Sequence, residues 1–316
     1  MSHPTKHPRP VSEQSFKKRV YERLSGRKAL IALTILPVVL IYLLVLVFPI
    51  VWAIAAGFHD INTISPEWHW SGLSNYASIL TDSFFHYTLW LSFLFAAGSI
   101  VIQTVFGVVF ALILNSTVKF QKVASAILFL PFLVPTAIVG FVLMWMGNSS
   151  YGIFNWILVD AGILDSPRAW FGNADLALPS IIVANSWKYI ALVTIMVYAR
   201  LQSVPSELYE TARMMGASSW QMFRDITIPN IKGVVFIVTL LNGIWMFFKF
   251  DLIWILTEGG PGDATTISVI YAYEEAFQAN ALGRAAAMSV LLFIIVVVGA
   301  IIYFRVFEPE QEVRVE

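Results

Sequence analysis

Six runs of mostly apolar residues, each long enough to cross a bilayer and separated by polar connections, dictate what this chain can fold into. They lie at roughly 29–57, 88–114, 123–146, 178–200, 233–257 and 285–305. A helix needs about 20 apolar residues to cross a hydrocarbon core, and inside that core every backbone amide must be satisfied within its own segment. Six membrane-spanning helices in an all-α polytopic protein are therefore expected. Composition agrees, since 58% of the 316 residues are hydrophobic and 13% charged, against about 25% charged in a soluble domain. The first 28 residues are polar and basic, and the apolar run behind them exceeds the roughly 7–15 residues of a signal-peptide core, so it reads as an uncleaved span. With no cysteine in the chain, disulfides and thiolate metal sites are excluded.

Orientation follows from the placement of Lys and Arg, which concentrate in cytoplasmic connections. With the N-terminus inside, sixteen of the twenty basic residues fall on the inner side, from Lys6 through Lys28 in the tail to Arg200, Arg213, Arg224 and Lys232 in the connection after the fourth run. Both termini are thus expected in the cytoplasm of a multi-pass cell-membrane protein. Residues 13–24 space Phe16, Val20 and Leu24 four apart among basic residues, as an orienting amphipathic helix on anionic lipid would. The outer loops carry Asp and Glu, from Asp60 to Glu275, and need only solvation; a docking face for another protein is the sharper reading. Prolines 37, 49, 131, 135 and 179 fall in or beside runs and point to kinks within a bundle.

The inner connection between the fourth and fifth runs is too patterned for a linker. Ser206 is placed to cap a helix beginning at Glu207; Leu208, Ala212 and Met215 then share a face, and Gly216 suits a left-handed helix end. A second helix starts near Ser218 or Ser219, takes Met222, Phe223 and Ile226 as its apolar edge, and ends at Pro229. So small a unit cannot bury Tyr209, Met214, Met215, Trp220 and Phe223 together, and large apolar residues on a polar loop call for a partner surface.

Glu210-Thr211-Ala212, then Gly216, then Ile226, Ile228 and Pro229 stand at the spacing of the coupling loop of ABC importer permeases, which this chain resembles. Thr211 replaces a second alanine, Met215 a common aspartate and Gly233 a second proline. Phe247 through Gly262, with Glu258-Gly259-Gly260-Pro261-Gly262, is similar to the first permease of carbohydrate importers, and the likeness spans roughly 30–305. The resemblance implies a type I importer architecture: a basic cytoplasmic tail 1–28, a permease domain 29–305 with coupling loop 201–232, and a cytoplasmic tail 306–316. It implies that Glu210, Ala212, Gly216, Ala217, Phe223, Ile226 and Pro229 couple to an ATPase. It also implies a second homologous permease, two ATPase subunits, an extracytoplasmic solute-binding protein and a carbohydrate cargo. ATP and Mg would be bound by the partner ATPase and no cofactor by this chain; membrane lipid surrounds it, and nucleic acid has no part. The chain has no Gly-x-x-x-x-Gly-Lys-Ser/Thr loop to cradle phosphates, so it reads as a translocation subunit and not an enzyme.

Ionisable residues within a span are functional candidates by default. Lys188 sits about ten residues into the fourth run, roughly 15 Å deep, and reads equally as a pore-lining donor, an ion-pair member or a structural bond to a carbonyl. Lys249 is expected to snorkel to the outer interface, and Asp251 to lie nearer the surface, in reach of Lys188 only if the helices are offset. Trp187, Lys188, Tyr189, Asn242, Trp245, Phe250 and Asp251 are the candidates for a sugar path, although aromatic residues at such depths also serve packing and interfacial belts. Gln103 and Asn185 read as interhelical hydrogen bonds. A membrane protease would need a histidine near Ser218 or Ser219, yet His3, His7, His59, His69 and His86 lie in the tail and the outer loops. A secondary transporter would need several membrane carboxylates and an inverted repeat, but Asp251 is the sole acidic residue well within a run and no internal repeat is visible. An importer of glycerol phosphate, peptides or amino acids is the nearer alternative.

Overall fold

A computed structural model of the chain describes residues 27–64, 67–116 and 121–307. The amphipathic segment 13–24 and the basic residues of the extreme tails lie outside them. The chain divides into two units, Met1–Ala56 and Gly57–Glu316.

The first unit is the opening span. Helix α1 (Arg27–Tyr42) passes through a π-helical turn, Leu43–Val47, into α2 (Phe48–Gly57). The Phe48 amide bonds back to Leu43, five residues earlier, which widens the turn beside Pro49, a residue without an amide proton. Apolar side chains are exposed along almost its whole length, the pattern of a helix made for lipid or another apolar surface.

In the second unit a short antiparallel pair, β1 (His59–Asp60) with β2 (His69–Trp70), leads to α3 (Ser74–Leu80) and the long α4 (Ser83–Asn115). Asp82 caps α4 through the Phe84 amide at 2.9 Å. The third span is a bent pair, α5 (Gln121–Leu133) and α6 (Thr136–Met146), whose axes differ by 98°. Helix α7 (Ile153–Asp160) follows, then α8 (Ala174–Gln202), α9 (Ser206–Met214) and α10 (Ser219–Met222). A π turn, Phe223–Thr227, joins α10 to α11 (Ile228–Phe247), and α12 (Asp251–Thr257), α13 (Ser268–Phe277) and α14 (Leu282–Phe307) complete the chain. Among the described residues five helices are long and apolar enough to cross a membrane, and the bent pair makes a sixth crossing if taken as one.

Two runs are not continuous helices, one broken at a proline that the sequence marks as a kink and one interrupted where the sequence gives no such mark. Run 123–146 breaks at Val134-Pro135, because proline donates no amide and pushes its predecessor out of the helical region. Run 233–257 stops at Phe247, and a separate helix begins at Asp251.

Helices α4 and α8 form the centre of the unit. A Cβ on Gly107 would stand 2.5 Å from Val193 Cβ, and one on Gly98 3.1 Å from Ile182, so glycine permits the close backbone approach on which membrane helix packing relies. Polar seams cross the same core. The Ser268 amide donates to Ser92 Oγ at 2.9 Å, and Asn242 Nδ2 donates to Gln103 Oε1 at 3.1 Å.

At one end of the bundle a charged knot ties the start of α4 to α13 and α14. Arg284 reaches Asp82 Oδ2 at 2.6 Å, Tyr271 donates to the same oxygen at 2.8 Å, and Arg284 Nε lies 3.4 Å from Glu275. Burial pulls the Asp82 carboxyl upward. The Tyr271 hydroxyl, the Phe84 and Phe85 amides and the Arg284 guanidinium outweigh it and hold the group below the usual carboxylate range. A depressed folded-state pKa contributes stability that is complete above the unfolded value, near 4, and lost as pH falls through the folded value. Hydrogen exchange at the start of α13 is therefore expected to accelerate below about pH 4. In Asp82→Asn exchange should be faster already at neutral pH, and that acid-side step should vanish.

Candidate functional site

Two places gather the residues singled out by sequence: the connection between α8 and α11, and a cavity beside the break after α11.

Helix α9 carries Glu207 in its first turn and Arg213 in its last, each favourable to the helix dipole. Its start differs from expectation by one residue: Pro205 holds the N-cap position, Ser206 is already helical, and no side chain caps the helix. Its end follows the expected chemistry. Gly216 has φ of +83°, and the Ala217 amide reaches back to the Ala212 carbonyl at 2.9 Å while Gly216 bonds Arg213 at 3.0 Å. This is the wrapped helix end that a left-handed glycine permits. Ser218 then opens α10 with a reciprocal box: its amide donates to Gln221 Oε1 at 2.7 Å, and the Gln221 amide to Ser218 Oγ at 3.3 Å.

Pro229 does not end this second helix, contrary to the sequence reading. The helix runs from Ser219 to Phe247 without interruption. The π turn just before Pro229 absorbs the missing amide, and Asn230 Nδ2 donates to the Ile226 carbonyl at 2.8 Å. The loop is therefore rigidly continuous with a membrane helix. Tyr209 fastens α9 to the π turn through Thr227 Oγ1 at 3.1 Å, and Arg200 Nε bonds the Asn230 carbonyl at 2.8 Å, joining α8 to α11.

What the loop presents at its tip is apolar and exposed. Met214 and Met215 are each 82% exposed and Trp220 is 67% exposed. Glu210 and Pro229 are also exposed; Ala212, Ala217, Phe223 and Ile226 are half-buried. Among the described residues nothing bonds the Glu210 carboxylate. Trp220 and Phe223 pack ring to ring at 5.6 Å, extending the apolar face.

The cavity, of about 420 Å³, is lined by Tyr189, Trp245, Phe248, Lys249, Phe250 and Asp251, with Ile244 and Met246. It brings together four sequence candidates, Tyr189, Trp245, Phe250 and Asp251. Asn242 lies away from it, fully buried against Gln103 with its own Oδ1 unpartnered. Trp187 is half exposed and Lys188 is buried; neither lines the cavity.

Lys249 was missed. It does not snorkel: it is 8% exposed, 2.8 Å from Asp251 Oδ1, and donates to the Tyr189 hydroxyl at 2.7 Å. Because α11 ends at Phe247, the chain folds Lys249 inward to meet its neighbour Asp251. Asp251 thus pairs with Lys249 rather than with Lys188. Of the three readings of Lys188, the structure selects the carbonyl bond: Nζ donates to the carbonyls of Pro131 at 3.2 Å, Phe132 at 3.4 Å and Val134. The acid two residues after Lys249 was the signal available in sequence. Chemically the cavity offers aromatic faces, a phenol, an ammonium and a half-exposed carboxylate, suited to a hydroxylated solute of modest size.

Residues 103–310 match the family described as binding-protein-dependent transport system inner membrane component. The chain is 36% identical, over 87% of its length and 92% of the relative, to the trehalose/maltose transport system permease protein MalF of Thermococcus litoralis. It is 35% identical to the inner membrane ABC transporter permease protein YcjO of Escherichia coli, over 71% of this chain and 75% of that one. Among solved structures it resembles a chain of a bacterial ABC transporter involved in the import of the acidic polysaccharide alginate. That match has a TM-score of 0.81 and 20% identity, and covers 93% of this chain and all of the other.

Proposed function

The chain belongs to the inner-membrane permeases of binding-protein-dependent ABC importers, and from that premise we propose that its cargo is a sugar or oligosaccharide. The relative named for trehalose and maltose supports this reading, as does a cavity lined by aromatic faces and a Lys249–Asp251 pair. As a translocation subunit it performs no chemistry. It forms half of a pore with a second, homologous permease, and two ATPase subunits bind ATP and Mg on its behalf. A solute-binding protein delivers cargo on the extracytoplasmic side.

Both termini and the α9–α10 connection face the cytoplasm in this reading, which the distribution of Lys and Arg supports. There Met214, Met215, Trp220 and Phe223 enter a cleft on the ATPase, and Glu210 pairs with a basic residue of that cleft. Closure of the ATPase pair draws α9 and α10 inward. Because α10 is continuous with α11, the motion passes directly to the helix whose far end borders the cavity, and the pore rocks from inward to outward access.

The carrying observation is that rigid connection between an exposed apolar tip and a cavity-lining helix. A chain without cysteine makes the test simple. Met215→Cys labelled with a benzophenone maleimide in the assembled transporter is expected to photo-cross-link to the ATPase subunit, whereas Trp156→Cys on α7, labelled in the same way, should not. No ATPase adduct from position 215 would refute the docking role.

A further inference from the structure

The break in the third span is electrically dressed at both of its ends. Pro135 has no amide to offer, so the Pro131 carbonyl four residues earlier loses its helical partner. That carbonyl, with those of Phe132 and Val134, receives Lys188 Nζ from the middle of α8. Lys188 is only 4% exposed. Its ammonium therefore sits at the C-terminus of α5, where the helix dipole favours a cation and where orphan carbonyls need donors.

The second half starts without a cap of its own, because Pro135 occupies the N-cap of α6 and offers no side-chain acceptor. The Asp251 carboxylate stands near the Thr136 hydroxyl at the first position of α6, while accepting from Lys249 and from the Leu252 amide. An anion at a helix N-terminus is the favourable sign. Close packing holds this arrangement: a Cβ on Gly140 of α6 would come within 2.6 Å of Ile255 in α12.

We propose that Lys188 and Asp251 are the positioning residues of the third span, a cation on one half and an anion on the other, which together fix its 98° bend. Asp251 also lines the cavity, and Phe132, at the end of α5, packs edge-on against Tyr189 of the cavity wall at 6.0 Å, so the bend adjoins that wall. The assignment depends neither on the nature of the cargo nor on where the ATPase docks.

The test is a distance across the bend. Nitroxides at Ile127→Cys on α5 and Phe141→Cys on α6, both exposed positions, are attached to the full-length chain before assembly with its partner subunits. The unaltered chain should give one narrow distance distribution. Lys188→Met keeps the length of the stem and removes the charge, and is expected to broaden the distribution about twofold, while Lys188→Arg keeps it narrow. Thr136→Val should broaden it to a lesser degree. A role in packing alone would leave Lys188→Met as narrow as the unaltered chain, and that result overturns the proposal. If Lys188→Met does not assemble, Thr136→Val decides: broadening upholds the clamp, and an unchanged width overturns it.

Discussion

Gly216→Pro is expected to abolish transport while leaving the chain inserted and assembled. Residue 216 has φ of +83° and its amide donates to Arg213; proline fixes φ near −65° and has no amide to give. The wrapped end of α9 is then lost, and Met214 and Met215 no longer point where the α9–α10 bend places them. At roughly 3 kcal/mol for a misplaced proline, the fraction of loops in the docking geometry falls about a hundredfold. Gly216→Ala separates backbone from contact effects, since a Cβ there meets nothing within 4 Å. Alanine bears only the left-handed penalty of about 1–2 kcal/mol, so transport should fall about tenfold and not vanish. Uptake assays on both variants, with assembly checked by co-purification of the partner subunits, provide the measurement. Equal losses for alanine and proline would show that something other than backbone conformation is at work.

Asp251→Ala carries the second large effect, on stability. It strips the partner from an ammonium that is almost wholly buried, leaving Lys249 with the Tyr189 hydroxyl and ring alone. Breaking a fully buried pair costs about 3–5 kcal/mol; Asp251 is 47% exposed, so a loss of about 2–3 kcal/mol is the discounted expectation. The reverse change, Lys249→Met, should cost less, because a half-exposed carboxylate can be rehydrated and methionine fills the stem's volume. The double variant should recover most of the loss relative to Asp251→Ala. Thermal unfolding of the detergent-solubilised complex reads all three. A double variant no more stable than Asp251→Ala would mean that the pair is not what holds the break after α11.

The sequence made the spans and the coupling loop legible for one physical reason: both are local. Six apolar runs follow from hydropathy alone, and the left-handed end at Gly216 and the start of α10 at Ser218 follow from residues within a few positions of each other. The misreadings share the opposite property. Run 233–257 looks unbroken because Phe248 and Phe250 keep its hydropathy high, and hydropathy is blind to where a backbone stops being helical. Lys249 finds its place through Tyr189 on α8, and Lys188 through carbonyls of α5, contacts that no spacing within one helix announces. Pro229 reads as a stop by its missing amide, but a π turn and the Asn230 side chain take up the deficit. The candidate cavity was therefore half legible: Tyr189, Trp245, Phe250 and Asp251 meet there, while Trp187, Lys188 and Asn242 do not.

The account rests on energy entering this chain from an ATPase through the α9–α10 connection, and uptake into proteoliposomes tests that most directly. Vesicles would carry the chain with its second permease and ATPase, the loaded binding protein outside, and labelled trehalose or a maltooligosaccharide as cargo. The expected result is accumulation that requires ATP on the ATPase side, requires the binding protein, and disappears with Gly216→Pro. Accumulation driven by an ion gradient without ATP, or ATP-driven uptake undiminished by Gly216→Pro, would contradict it.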